Sequence, residues 1–276
     1  MERELGAAGL PHARQEARDI LGVVMGEGRF WAVLHEDQSP SETVVARAWG
    51  AVRRRVLGAP FAYAVGEAAF RHLVLAVDER VLIPRQETEL LVEVVLEATE
   101  GGTGTAVDVG TGSGAIALAL ASEGRFGRVI ATDVSVGALA VAAENVARLA
   151  GVLRCPVELR HGSLLAPLRG ERVRAVVSNP PYISAAEMRE VPRSVRDWEP
   201  AVALVSGADG LSATRRLVRE AATILEPGGA LVLEVDARRA RQTAELALAE
   251  GHYGDVSVRP DLTGRDRILL ARRNDS

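Results

Sequence analysis

The stretch TAVDVGTGSGAIALALA, residues 105–121, has the pattern of a short buried strand, a glycine-rich turn and an apolar helix. Glycines allow positive φ and let a ligand approach the backbone with no Cβ in the way. Asp133 follows the next predicted strand, 19 residues after Gly114, where a carboxylate can bind the two hydroxyls of a ribose. These features predict a site for a nucleoside-containing cofactor at the carboxyl edge of a parallel sheet.

The identity of that cofactor stays open on these residues alone. Gly110, Gly112 and Ala115 also satisfy the dinucleotide pattern G-x-G-x-x-G/A. Asp108, inside the strand, has two interpretations: a buried carboxylate that holds the loop amides, or a contact with a cationic amino group of the cofactor. The predicted cofactor-binding residues of this stretch are Asp108, Gly110, Thr111, Gly112, Ser113 and Gly114.

Beyond this stretch, short apolar strands alternate with helices from about residue 87 to the end of the chain. We predict helices at 87–99, 114–123, 136–150, 210–225 and 237–250, and strands at 105–109, 128–132, 156–160, 173–178, 229–235, 254–259 and 266–272. Such alternation predicts an α/β fold, doubly wound, with a mostly parallel sheet covered by helices on both faces. The short connection between the last two strands predicts an antiparallel C-terminal strand.

The N-terminal part has a different pattern. Residues 12–58 carry helical periodicity, with Ser41 as a predicted N-cap and Gly58 and Pro60 as helix stops. Residues 73–83 become strand-like around a polar turn at 78–79, which indicates a hairpin or linker. We therefore predict a small helical domain at 1–72, a hairpin or linker at 73–85 and an α/β domain at 86–276.

Composition excludes several classes of protein. Hydrophobic residues make up 47% and charged residues 25%, values typical of a globular enzyme. A net charge of −4 gives no overall footprint for nucleic acid. The single cysteine, Cys155, and the lack of zinc-ligand spacing predict an intracellular protein with no metal site. The longest apolar run, Ala115–Ala121, is too short for a bilayer, so we expect a cytoplasmic protein. We also expect a monomer.

A second motif follows the predicted strand 173–178, which ends in Asn179-Pro180-Pro181-Tyr182. The two prolines fix φ and remove two backbone donors, so the chain leaves the strand with bare carbonyl groups. The side-chain oxygen of Asn179 and the carbonyl of Pro180 can then accept both N–H bonds of a planar NH2 group. Tyr182 would pack against that group. The motif predicts a site where a weakly nucleophilic nitrogen is oriented toward an electrophile.

These motifs together resemble a known family. VDVGTGSGAIALALA with Asp133 resembles the S-adenosylmethionine site of class I, Rossmann-like methyltransferases, and SNPPY resembles their amino-nitrogen methylation motif. LIPRQETE, residues 82–89, preceded by PFAYAVGEAAF, is similar to the protein-(glutamine-N5) methyltransferases of the HemK/PrmC type. The resemblance covers about residues 58–272. It implies S-adenosylmethionine as cofactor, and as substrate the GGQ glutamine of bacterial class 1 peptide chain release factors, engaged by the helical N-terminal domain.

The resemblance also implies roles for individual residues. Gly110 to Gly114 would hold the methionine part of S-adenosylmethionine, Asp133 its ribose, and Leu164 would flank its adenine. The residues implied to bind the glutamine amide are Asn179, Pro180, Pro181 and Tyr182, with Asn179, Pro180 and Tyr182 catalytic and Asn179 also beside the cofactor. Three positions depart from the family pattern: Gln86 replaces a proline, Ser163 an acidic residue, and Val235-Asp236 an Ile-Gly pair.

Four other functions are compatible with part of this sequence pattern. A ribosomal-protein glutamine methyltransferase would share both motifs. An N6-adenine methyltransferase of DNA or RNA would use the same Asn-Pro-Pro-Tyr geometry, but the acidic net charge and the LIPRQETE segment argue against it. An NAD-dependent oxidoreductase would need an acid/base residue for hydride transfer, which the motif does not supply. A non-catalytic S-adenosylmethionine-binding adaptor is disfavoured by the intact Asn-Pro-Pro-Tyr motif.

Overall fold

The computed structural model describes residues 1–28, 30–35 and 37–275. Arg29 and Glu36, in the predicted helical region 12–58, and Ser276, in the predicted domain 86–276, lie outside the described residues. The N-terminal region contains the helices α1 (Glu2–Ala7), α2 (Ala13–Met25), α3 (Trp31–Leu34), α4 (Glu42–Val56) and α5 (Phe61–Val65). The region with helical periodicity is therefore divided among separate helices.

The helix α4 begins and ends where the sequence predicts. Ser41 is its N-cap, and the side-chain oxygen accepts a hydrogen bond from the backbone N–H of Val44 at 3.4 Å. Gly58 follows the helix with φ of 95°, a conformation that glycine adopts without strain. The apolar faces of α1, α2 and α4 meet in a core of their own, in which Leu5 and Ile20 are fully buried. This core is separate from those of the α/β region.

A hairpin overlaps only the start of residues 73–85, which were predicted as a hairpin or linker. Its strands β1 (Glu67–Phe70) and β2 (Leu73–Ala76) pair antiparallel, and Arg71 occupies the turn with φ of 52°. Of the two predicted alternatives, hairpin or linker, the linker fits residues 77–88, which contain neither helix nor strand, and no hairpin turn lies at 78–79. Val81 continues the apolar pattern of β2 beyond the hairpin, because it is buried. Its carbonyl accepts a hydrogen bond from the hydroxyl of Tyr63.

The remaining chain forms the predicted α/β fold. The helices are α6 (Glu89–Ala98), α7 (Ala115–Glu123), α8 (Val136–Arg148), α9 (Arg193–Arg196), α10 (Ser212–Ile224) and α11 (Ala240–Ala249). The strands are β3 (Thr105–Val109), β4 (Arg128–Asp133), β5 (Val157–His161), β6 (Val173–Ser178), β7 (Leu225–Glu234), β8 (Tyr253–Pro260) and β9 (Asp266–Arg273). They form a seven-stranded sheet in the order β5-β4-β3-β6-β7-β9-β8, and β9 runs antiparallel to both neighbours.

Helices cover both faces of the sheet because alternate strand residues point to opposite sides. Ala106 of β3 packs in the core formed with α6, α7 and α8, and its neighbour Val107 packs in the core formed with α10 and α11. The helix α7 is apolar around its whole circumference from Ala115 to Ala121, and it is therefore buried on all sides. In the part of the chain that the structure describes, no helix is long and apolar enough to cross a membrane.

The strand register brings the site together. Val109, the last residue of β3, lies opposite Thr132 of β4 on one side and Ser178 of β6 on the other. The glycine-rich turn, Asp133 and Asn179 therefore leave the sheet side by side at one edge. Parallel open sheets bind ligands at this carboxyl edge.

Candidate active site

The glycine turn between β3 and α7 leaves open space above its backbone. Gly110, Gly112 and Gly114 have φ of 70°, 56° and 86°. A Cβ added at Gly110 or Gly112 would meet no heavy atom within 4 Å, whereas at Gly114 it would approach the side chain of Leu118 to 3.1 Å. The first two glycines thus allow close approach of a ligand, and the third allows close packing of the helix.

Asp108 lies beneath this turn. Its Oδ2 accepts hydrogen bonds from the Thr111 hydroxyl at 2.6 Å and from the Ala117 N–H at 3.1 Å. Its Oδ1 is buried and has no hydrogen-bond partner among the described residues. Burial raises the pKa of Asp108 to about 7, and the nearby charge of Asp133 adds to the rise. This geometry fits the loop-anchoring interpretation, and direct contact with a cofactor stays a prediction.

Asp133 ends β4 at the mouth of the same turn. Its Oδ2 accepts a hydrogen bond from the Gly112 N–H at 2.9 Å, and its Oδ1 accepts one from the Ser135 N–H at 2.8 Å. Each carboxylate oxygen has a second lone pair, so both remain able to accept from a ligand hydroxyl. The carboxylate therefore holds the turn and presents two acceptors to the space in front of it.

A cavity of about 330 Å³ opens at this edge of the sheet, a volume in the range of small-molecule sites. The predicted residues that line it are Gly110, Gly112, Asp133, Leu164, Asn179 and Pro181. The other predicted residues, all in the described part of the chain, do not line it: Asp108, Thr111, Ser113, Gly114, Pro180 and Tyr182. The structure thus brings the glycine turn and the start of the Asn-Pro-Pro-Tyr segment to one cavity.

Leu164 reaches the cavity through an unusual backbone conformation. It has a positive φ of 51°, and its carbonyl accepts a hydrogen bond from the Thr132 hydroxyl at 3.1 Å. Ser163, one of the departures from the family pattern, also lines the cavity, and its hydroxyl accepts a long hydrogen bond from Arg216 at 3.4 Å. An arginine on α10 therefore contacts the position where the family has an acidic residue.

Two walls of the cavity contain no residue that the sequence predicted for the site. One is formed by Arg80, Val81 and Leu82 from the segment after the hairpin, and the other by residues within 200–207. Hydrogen bonds between Ile183 and both Leu204 and Ser206 fasten the second wall to the Asn-Pro-Pro-Tyr segment. The segment LIPRQETE begins at Leu82 of the first wall and was the available signal for it.

Two hydrogen bonds fix the start of the Asn-Pro-Pro-Tyr segment at the cavity. The hydroxyl of Ser178 donates a hydrogen bond to the carbonyl of Val109 at 2.7 Å, which ties the end of β6 to the start of the glycine turn. The side-chain Nδ2 of Asn179 donates to the hydroxyl of Thr88 at 3.1 Å. Asn179 is therefore fixed in orientation while it borders the cavity.

Tyr182, the last residue of this segment, is partly buried. Burial raises the pKa of its hydroxyl to about 12, with a further contribution from the charge of Glu234. The phenol is therefore neutral at physiological pH and does not act as a base. It is available for packing and for donating a hydrogen bond.

The other departures from the family pattern lie outside the cavity. Gln86 is exposed in a turn, where its carbonyl accepts from the N–H of Glu89. Asp236 follows β7, and its carboxylate forms ion pairs with Arg238 and Arg239. The local turn after β7 is thus stabilised by these ion pairs.

At one edge of the sheet, the open glycine turn and Asn179, the first residue of the Asn-Pro-Pro-Tyr segment, line one cavity. On this fold, that combination defines a class I methyltransferase. A solved methyltransferase from Pyrococcus furiosus has the same fold, with a TM-score of 0.55 and 18% identity over 86% of this chain and 100% of that one. The family model described as "Methyltransferase small domain" matches residues 86–193, and "PrmC N-terminal domain" matches residues 1–66.

Curated relatives define the family more narrowly. A release factor glutamine methyltransferase from Moorella thermoacetica is 44% identical over 99% of this chain and 96% of its own length. One from Deinococcus radiodurans is 41% identical over 98% of this chain and 94% of its own length. The chain belongs to the release factor glutamine methyltransferase family.

Proposed function

We propose that the protein methylates the side-chain amide nitrogen of the GGQ glutamine in peptide chain release factors, with S-adenosylmethionine as methyl donor. The observation that carries this proposal is that Asn179 and the glycine turn line one cavity. An amide held at Asn179 would thereby face a cofactor held at Gly110 and Gly112. The family to which the chain belongs supports the choice of a release factor as substrate.

The residues at the cavity fit the proposed cofactor. Gly110 and Gly112 leave the space that its methionine part would fill. Each carboxylate oxygen of Asp133 has a further lone pair that could accept a hydrogen bond from a ribose hydroxyl. Leu164 would lie against the adenine. When bound, S-adenosylmethionine supplies a methyl group on a sulfonium centre.

The proposed roles of Asn179 and Pro180 follow from the weakness of an amide as nucleophile. Its nitrogen lone pair is delocalised into the carbonyl group. Acceptors at the Asn179 Oδ1 and the Pro180 carbonyl would hold both amide hydrogens and favour a pyramidal nitrogen whose lone pair points at the methyl carbon. The new C–N bond would form as the S–CH3 bond of the donor breaks, with S-adenosyl-L-homocysteine as the leaving group. One amide proton would be lost to water, so the chain needs no strong base for this step.

The helical domain gives a second surface for a protein substrate. Its core is separate from that of the α/β region, and the ion pair between Arg55 and Glu16 joins α4 to α2. We propose that this domain binds the release factor while the GGQ loop of the release factor enters the cavity. A release factor substrate further implies action in the cytoplasm and no direct contact with nucleic acid, and we expect one chain to suffice.

Intact-mass analysis of a purified release factor tests this function. Incubation with the protein and S-adenosylmethionine should add one methyl group, located by peptide mapping on the GGQ glutamine. A release factor with asparagine in place of that glutamine is the control and should gain none. Purified ribosomal proteins form a second arm, because methylation of their glutamine instead of the release factor's would favour the alternative substrate.

A further inference from the structure

Three side chains from separate elements form a hydrogen-bonded chain behind the cavity. Asn179 follows β6, Thr88 precedes α6, and Glu234 ends β7. The Asn179 Nδ2 donates to the Thr88 Oγ1 at 3.1 Å, and the Thr88 Oγ1 donates to the Glu234 Oε2 at 2.6 Å. Thr88 is 5% exposed and Glu234 2% exposed, so water does not compete for these bonds.

The direction of these bonds follows from the number of protons available. An ionised carboxylate accepts only, so the single hydroxyl proton of Thr88 goes to Glu234. The Thr88 oxygen then has only lone pairs left for Asn179, which must present its NH2 group. The Asn179 Oδ1 is thereby turned away from Thr88 and remains free to accept an amide hydrogen at the cavity.

Protonation of Glu234 would allow the opposite direction. A neutral carboxyl group can donate to the Thr88 oxygen, and the Thr88 hydroxyl can then donate to the Asn179 oxygen. Asn179 would present its NH2 group to the cavity in that arrangement. Two NH2 groups would face each other, and the substrate amide would lose an acceptor.

We propose that Thr88 and Glu234 are positioning residues that fix the carboxamide of Asn179 with its oxygen toward the substrate amide. The proposal rests on the proposed function, because it assigns the acceptor that a glutamine NH2 group requires. Neither residue touches the substrate. Their effect on turnover passes through the orientation of Asn179.

The groups around Glu234 determine the pH range in which it is ionised and the hydrogen bonds from Asn179 to Thr88 to Glu234 have the productive direction. Burial raises the pKa of Glu234, and Glu87 raises it further. The hydrogen bond from Thr88 and the charges of Arg267 on β9 and Arg85 lower it. Tyr182, which also faces Glu234, stays neutral. Because Glu234 must be ionised, turnover should fall as the pH falls through a pKa above the usual glutamate range.

Thr88→Val keeps the shape of the side chain and removes the hydroxyl. At saturating cofactor, kcat should fall about 10²-fold, the scale for a misplaced catalytic contact, with little change in KM or in cofactor affinity. Thr88→Ser restores the hydroxyl and should recover most of the turnover. Thr99→Val is the matched control, because Thr99 is equally buried but its hydroxyl donates only to the Val95 carbonyl, away from the cavity.

A double variant tests whether Thr88 acts through Asn179. Adding Thr88→Val to Asn179→Ala should lower kcat no further, since the side chain that Thr88 orients is already gone. In Glu234→Gln, the acidic limb of the kcat profile that belongs to Glu234 should disappear. Any pH dependence of kcat that arises from Asp108 is present in both wild type and Glu234→Gln, so it does not contribute to the difference between their profiles.

Several results would overturn the proposal: normal kcat in Thr88→Val, independent losses in the double variant, or an acidic limb unchanged in Glu234→Gln. If Thr88→Val binds no cofactor because it is misfolded, Thr88→Ser and the Glu234→Gln profile decide the question. A wild-type protein that leaves the release factor unmethylated would instead contradict the proposed function. Failure of the positioning role appears only in the variants, with the wild-type protein active.

Discussion

Asn145 of α8 pairs with the backbone of Ala76 as another strand would. Its Oδ1 accepts from the Ala76 N–H at 2.7 Å, and its Nδ2 donates to the Ala76 carbonyl at 2.9 Å. The same Nδ2 donates to the carbonyl of Ser113 in the glycine turn at 2.9 Å. One fully buried side chain thus joins the β1–β2 hairpin to the turn that borders the cavity.

Replacing Asn145 with alanine should destabilise the protein by about 2–4 kcal/mol, because it leaves buried backbone groups of Ala76 and Ser113 without partners. Cofactor affinity should fall as well, since the glycine turn loses a support. Chemical denaturation and calorimetry measure the two effects. Asn274→Ala, which removes one hydrogen bond to Gly251 near the end of the chain, is the control. Equal stability of both variants would contradict this role for Asn145.

The buried carboxyl group of Asp108 predicts a dependence of stability on pH. Its folded-state pKa of about 7 lies above the value of about 3.9 expected in the unfolded chain. Between these values the unfolded state binds fewer protons, so the contribution of Asp108 to stability falls as the pH rises. Asp108→Asn lacks this titration.

Relative to wild type, Asp108→Asn should therefore gain about 3–4 kcal/mol of stability between pH 4 and pH 7, at about 1.4 kcal/mol per pKa unit. Urea unfolding across this range, without cofactor, measures the difference. Asp255→Asn, at an exposed position of β8, is the control substitution. A constant difference between Asp108→Asn and wild type would mean that the Asp108 carboxyl group titrates normally.

The prediction for Asp133 concerns the cofactor. Asp133→Ala should weaken binding of S-adenosylmethionine by about 1.5–3 kcal/mol, the scale for losing hydrogen bonds to a charged group. Asp133→Asn keeps one acceptor for the turn and should lose less. Isothermal titration calorimetry gives both values. Unchanged affinity in Asp133→Ala would restrict this residue to holding the turn, and saturable binding of NAD would argue against a methyltransferase site.

Much of the fold was predictable because the central strands are almost wholly apolar. Val107 and Val176 belong to runs that have no stable place except between two helical layers. The choice between hairpin and linker stayed open for residues 73–85, because periodicity cannot distinguish a paired strand from an extended segment held by tertiary contacts. Val81 is such a case, since its carbonyl is bound by Tyr63 from the helical domain.

The site was predictable where its residues belong to a motif or lie at a fixed spacing from one, as Asp133 does. Gly110, Gly112 and Asn179 belong to local motifs, and the structure brings them to one cavity. Thr88 and Glu234 contribute through bonds that span 91 and 146 residues of the chain, and no local pattern indicates such pairs. The supports of a site are thus harder to predict than the motifs that face its ligand.

Asn179 provides the most direct prediction for the chemistry. Asn179→Ala removes the side-chain acceptor and leaves the carbonyl of Pro180. If the bond to the amide strengthens as its nitrogen becomes pyramidal, kcat should fall by about 10²–10³, as for loss of one preorganised polar contact. Cofactor affinity should change far less.

Asn179→Asp keeps a hydrogen-bond acceptor at position 179 but removes the NH2 group through which Thr88 orients the side chain. The carboxylate keeps an acceptor but has no NH2 group for the Thr88 hydroxyl, which already donates to Glu234. It also adds a negative charge beside the sulfonium, so S-adenosylmethionine should bind no worse. We expect partial turnover on the glutamine, between that of wild type and that of Asn179→Ala. Single-turnover methylation of the release factor, with cofactor binding measured separately, distinguishes the variants, and near-normal turnover in Asn179→Ala would exclude Asn179 as the amide acceptor.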